Sequence, residues 1–186
     1  LAFERPHDAL HVRAQLMVEV LPRRPVSLQG SPSWTAVRQA LRYQRRAWPA
    51  DALEAVRYRF ASPYVGLDAA FEVFAADCFP PERPLLEAVQ ALMQKIHGEF
   101  TFDASATLVA TPLLTVLEQR RGVCQDFAHL MLACLRSRGL AARYVSGYLL
   151  TQPPPGQARL VGADASHAWV SVLSLIHISR AHETRG

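Results

Sequence analysis

Lysine is nearly missing from these 186 residues: of 20 Lys and Arg, only Lys95 is a lysine. The arginines are scattered and never run longer than two, which argues against a nucleic-acid-binding face. No apolar stretch approaches the ~20 residues that span a bilayer, so no membrane-spanning helix is expected. Cys78, Cys124 and Cys134 are too few, and odd in number, for a disulfide framework; they fit a reducing, cytoplasmic interior. Charged residues make up only 19%, with a net charge of +4, which disfavours long disordered tracts. Half of the residues are hydrophobic, and the length suits one complete domain plus part of another.

Both ends read as cut. The chain starts at Leu1, and Leu10, Val12, Ala14, Leu16, Val18 and Val20 alternate with His11, Arg13, Gln15, Met17 and Glu19, the signature of a half-buried strand. Residues 1–30 therefore read as the remnant of a β-rich domain. A connecting region follows over 31–82, with a helix at 34–46 capped by Ser33 and striped by Trp34, Val37, Leu41 and Arg45. The main domain is expected at 83–172. Residues 173–186, LSLIHISRAHETRG, resemble the translation of a transposon-based sequencing adapter and read as a non-native tail.

Within 83–172, Pro84 is suited to open a helix over 84–97, with Leu85, Val89, Leu92, Met93 and Ile96 on one face and Gly98 as its stop. A short helix is expected from Thr111-Pro112 to Gln119. A longer one over 124–138 carries Phe127, Leu130, Met131, Cys134 and Leu135 on one face, with Gly139 as its C′ residue. Strands are expected from Ala142 to Leu150 and from His167 to Val172.

The chemistry centres on Cys124. A thiol is a poor nucleophile until it ionises, and the unpaired N–H groups at a helix start favour the thiolate. Gly122, just before it, would let the backbone turn and leave room for a substrate near the sulfur. His167 opens a strand 43 residues later, with Trp169 on the same strand face. By spacing alone, one cysteine and one distant histidine are weak evidence.

The wording of the segments is more specific. RRGVCQDFAHLMLACLRSRGLAARYVSGYL over 120–149 and DASHAWVSV over 164–172 resemble the transglutaminase-like superfamily, in particular its bacterial members. The motifs are Gly122-Val123-Cys124-Gln125-Asp126, Arg136 to Tyr148, and Ser166-His167-Ala168-Trp169. The resemblance implies an α+β, papain-like core in which a helix bearing the cysteine packs on an antiparallel sheet bearing the histidine. It implies that Cys124 attacks a carboxamide of a peptide or protein to form a thioester, with His167 as the proton carrier and the Cys124 N–H as an oxyanion donor. No metal or organic cofactor is implied. The family's third member is an Asp on a following strand, and no Asp occurs after Asp164, so impaired activity is expected. A catalytically inactive interaction module and a cysteine protease or amidase on the same fold remain alternatives.

Other residues have plainer readings. Asp126 suits an N-terminal helix turn, where it favours the dipole and can accept a backbone N–H. Gln125 can line the groove, and Trp169 can shield the pair from water or serve as core. Tyr144 and Tyr148 read first as core strand residues, Cys134 as packing, and His129 as a core or surface histidine on another helix face. Asp164, three residues before His167, is a minor alternative to orient it; Glu183 falls near the expected distance but has no turn before it. No spacing suits zinc.

Overall fold

The computed structural model describes residues 17–19, 27–42, 50–108, 110–148 and 166–173. The expected strand at 10–20 and the tail beyond Leu173 lie outside these residues, save Met17–Glu19, which belong to no strand. The described architecture is α+β. In chain order it comprises α1 (Trp34–Ala40), α2 (Ala50–Arg57), α3 (Ala69–Phe74), α4 (Leu85–Glu99), β1 (Thr101–Phe102), α5 (Leu113–Gln119), β2 (Arg121–Gly122), α6 (Cys124–Ser137), β3 (Ala141–Tyr148) and β4 (Ser166–Leu173).

Ser33 caps α1 through Ala36 N–H, and Trp34, Val37 and Leu41 are buried on one stripe. The helix is shorter than expected, closing at Leu41, whose N–H bonds the Val37 carbonyl. The start of α1 is stitched to the start of α4: Trp34 N–H donates to Arg83 O at 3.0 Å and Leu85 N–H to Pro32 O at 2.9 Å. Pro84 and Pro112 are not the first helical residues; both sit at the N-cap position with extended ψ of 135° and 139°.

Gly98 does not stop α4. It continues to Glu99, and the chain turns extended at Phe100, whose ring is wedged edge-on between Phe74 and Phe127. Burial of that aromatic, rather than glycine's freedom, ends the helix. The stretch after it forms a parallel pairing of β1 with β2, Thr101 opposite Arg121 and Phe102 opposite Gly122.

Helix α6 is the centre of the fold. It was expected to bury one face, but Ala128, Leu130, Met131, Leu132, Ala133, Cys134 and Leu135 are all buried, because α3 and α5 pack on one side and β3 and β4 on the other. A helix apolar on all sides is what a fully enclosed position requires. Gly139 takes φ +76° in the turn that follows, and the chain reverses at once into β3. Buried Arg136 locks this end: its Nε and Nη2 donate to Ala142 O at 3.1 and 2.9 Å, and its Nη1 to Phe60 O and Ser62 Oγ, both at 3.1 Å. Strands β3 and β4 pair antiparallel from Ala141↔Leu173 to Tyr148↔Ser166.

Candidate active site

Cys124 is the first residue of α6, and its position is fixed from both sides. Upstream, Thr101 N–H donates to Arg120 O and Asp103 N–H to Gly122 O, each at 2.9 Å, so β1 holds the approach to the helix. Arg120 turns the chain out of α5 in the left-handed region, φ 56°. Downstream, the Asp126 carboxylate accepts the Val123 N–H at 2.8 Å and the Thr107 hydroxyl at 2.6 Å. Val123 has no side-chain acceptor, so only the return half of a capping box forms.

Gly122 has a different use from the one expected. A Cβ at residue 122 would lie 2.7 Å from Asp126 Oδ2 and 2.9 Å from its Cβ. The missing side chain thus makes room for the Asp126 carboxylate, and Gly122 is absent from the positive-φ residues. Nothing in the sequence spacing pointed to Thr107, which lies in the loop between β1 and α5.

The three cysteines differ sharply. Cys78 is 4% exposed and burial, with Asp77 beside it, pushes its thiol up to about 11. Cys134 is fully buried, and burial pushes its thiol up to about 12. Cys124 alone is only partly buried, and it stands at a helix start.

His167 lies at the beginning of β4, opposite Gly147. Its ring is 6.3 Å from that of Trp169, and a Cβ on Gly147 would meet the Trp169 ring at 2.6 Å. Trp169 therefore lies against Gly147 and is 8% exposed. Strand alternation puts Gly147, His167 and Trp169 on one face and Tyr144, Ala168 and Val170 on the other. Tyr144 meets His129 of α6 at 5.1 Å between ring centroids, which turns the second face to the helix.

From that contact, Cys124 lies five residues, roughly 7 Å, toward the helix start. Gly147 lies three residues, roughly 10 Å, along β3 in the same direction. Cys124 and His167 thus share one end of the helix-on-sheet layer. No hydrogen bond joins them among the described residues, and strand alternation puts the imidazole on the sheet face turned away from α6.

Tyr144 and Tyr148 are not core: Tyr148 is 75% exposed and Tyr144 partly so. Burial, then the nearby Cys124 sulfur, raises the Tyr144 phenol above its ordinary value. His129 is sandwiched between Tyr144 and Tyr64, whose ring is parallel to it at 6.0 Å. Burial lowers its imidazole, Arg136 adds to that, and Asp126 opposes it. His129 and Asp126 also line a cavity of about 300 Å³ with Tyr64, Leu67 and Leu114. Among the described residues, no three His, Cys, Asp or Glu side chains converge as metal ligands, and no helix is long and apolar enough to cross a membrane.

The sequence profile of the transglutaminase-like superfamily matches residues 73–177, the span that holds α6, both long strands, Cys124 and His167. The chain belongs to the transglutaminase-like superfamily. Uncharacterized proteins of Mycobacterium tuberculosis and Mycobacterium bovis are each 41% identical to it over 170 residues, 90% of this chain and 52% of theirs. One of Mycobacterium leprae is 42% identical over 87 residues, 45% of this chain and 30% of its own. The chain thus spans about half the length of the first of these curated relatives. Its fold is similar to the crystal structure of a "Putative Cysteine Protease" from Cytophaga hutchinsonii, with a TM-score of 0.51 and 25% identity over 64% of this chain and 38% of that one. The superfamily member described here accordingly has a papain-like α+β core.

Proposed function

We propose that this superfamily member is a cysteine enzyme acting on carboxamide groups of peptides or proteins through a thioester. The observation that carries the reading is the contrast among the thiols: Cys124 is at a helix start and only partly buried, while Cys78 and Cys134 are buried and held protonated.

In the proposed cycle the Cys124 sulfur attacks the amide carbon, and the Cys124 N–H, which has no intrahelical acceptor, donates to the developing oxyanion. For this cycle the His167 ring, on the sheet face turned away from α6, must reach the sulfur around the end of the sheet; there it takes the thiol proton and passes it to the departing nitrogen as the C–N bond breaks. Water or an amine then attacks the thioester, giving its proton to His167 and expelling the Cys124 thiolate. Water yields the acid; an amine yields a new amide. Gln125 and Trp169 are proposed to line and shield this site, with Gly122 and Asp126 fixing the helix start. All three cysteines are free, which supports a reducing, cytoplasmic setting.

These 186 residues hold no Asp after Asp164 to orient the imidazole, a loss worth on the order of 10⁴ in rate in triads. Thiol reactivity is therefore a better readout than turnover. In the 186-residue chain treated with iodoacetamide at pH 6, Cys124 should be alkylated about tenfold faster than free cysteine, and His167→Ala should remove that advantage. A Cys124 that reacts no faster than free cysteine, or is indifferent to His167→Ala, overturns the enzyme reading in favour of an interaction module.

A further inference from the structure

The other end of α6, about 20 Å from Cys124 along the helix, carries an unusual concentration of positive charge. Arginines from α1, the loop after α2 and the end of α6 gather around the turn at Gly139. A Cβ on Gly139 would be in ordinary contact with Arg59 Nη2 at 3.4 Å and with Arg38 Cγ and Nε at 3.5 and 3.6 Å, so both side chains border the same point. Arg138, one residue earlier, lies over the Trp34 ring at 5.6 Å, and Arg38 lies over the same ring at 5.9 Å. Arg42 is close enough that its charge, after burial and the charge of Arg38, lowers the Arg59 guanidinium from its ordinary value.

Like charges placed together repel, and the cost rises as they leave water. Structural duties account for only part of these groups. Arg59 Nη1 donates to Leu41 O at the end of α1, and Arg138 Nη2 donates to Glu72 O in α3 at 3.1 Å. The Nε atoms of Arg59 and Arg138 are buried with no acceptor among the described residues. Arg138 itself is only 8% exposed. Glu72 attracts Arg138, yet none of the four arginines forms an ion pair with a carboxylate among the described residues. A buried donor without an acceptor is a standing penalty, larger when it is charged.

We propose that this cluster binds a phosphate-class oxyanion, inorganic phosphate or the phosphate of a small monoester, over Gly139 between Arg38 and Arg59. A tetrahedral oxyanion can accept from guanidinium forks arriving from several directions, whereas a planar carboxylate satisfies one fork. The bare Cα of Gly139 leaves between these side chains the space that a Cβ would fill. Bound there, the anion ties α1, the segment after α2 and the α6–β3 turn together through charge. The site stands apart from Cys124 and does not depend on the proposed chemistry there.

The test is the melting temperature and calorimetric titration of the 186-residue chain with inorganic phosphate, phenyl phosphate, or sodium chloride matched in ionic strength. Phosphate should raise Tm saturably, with one equivalent bound, and chloride should not. Arg38→Gln should weaken phosphate binding about tenfold. Arg42→Gln, at an exposed position, should weaken it too while melting no lower than the parent without phosphate, because it relieves repulsion. Binding of phenyl phosphate as well as phosphate supports a site open to monoesters; binding of inorganic phosphate alone supports one closed around the free anion. Equal stabilisation by chloride and phosphate, or unchanged phosphate affinity in both variants, overturns the proposal.

Discussion

The Asp126 carboxylate accepts the Val123 amide at 2.8 Å, so the residue two after the cysteine fixes the residue just before it. Thr107 completes the arrangement at 2.6 Å from the same oxygen. Gly122 exists in this frame to let that oxygen approach. The nucleophile's position is thus set by a four-residue knot and not by the helix alone.

Asp126→Ala should therefore destabilise the chain by roughly 2 kcal/mol, since it leaves the Val123 donor without a partner at a half-buried helix start. Gly122→Ala should cost a similar amount, about 1–3 kcal/mol, by overpacking. The two should be strongly non-additive in urea unfolding: with Asp126 already truncated, the extra methyl at 122 finds room. Full additivity would show that Gly122 and Asp126 do not compete for the same space.

Thiol accessibility gives a second expectation. With a chromogenic disulfide reagent at pH 8, one thiol should react in the native chain, and labelling should map to Cys124. Cys78 and Cys134 should react only at the rate of unfolding, because both are buried and their thiols lie near 11 and 12.

Gly147→Val should dislodge the Trp169 ring, which sits 2.6 Å from where a Cβ would be. The expected signs are a red-shifted tryptophan emission and a stability loss of about 1–3 kcal/mol. Because His167 lies opposite Gly147 and beside Trp169, the same change should also slow Cys124 alkylation if His167 assists it.

His129 makes stability depend on pH. Burial holds its folded imidazole below the ordinary 6.5, so below that value the unfolded chain binds the extra proton more readily. Its contribution is complete above pH 6.5 and is lost as pH falls through the folded value. His129→Phe keeps the stack between Tyr64 and Tyr144 but removes the proton. The variant's Tm should fall less than the parent's between pH 7.5 and 5; an equal fall would show that other groups carry the acid sensitivity.

Helix positions and apolar stripes were readable in the sequence because local periodicity dictates them. Leu85, Leu92 and Ile96 in α4, and Leu130, Met131, Cys134 and Leu135 in α6, are buried as their spacing implies. Boundaries set by distant packing were not readable. The end of α4 is decided by Phe100 between Phe74 and Phe127, and the β1–β2 pairing joins residues 20 apart through backbone groups that leave no side-chain pattern. The motif around Cys124 was plain, but its support was not: Thr107 reaches Asp126 across a loop, and Gly122 looked like a residue serving a substrate. Tyr144 and Tyr148 read as core from β propensity, which records fit to a pleated surface and not which side of it is wet.

Arg136 clamps one tip of α6 to the Ala142 and Phe60 carbonyls, and the β1 ladder with the Asp126 knot clamps the other. A rod held at both tips can neither slide lengthwise nor roll. Substitutions near Phe60 or Ala142, remote from any reacting atom, should therefore be felt at the sulfur as a small displacement of the entire shaft, and screening for altered thiol chemistry need not confine itself to neighbours of the cysteine.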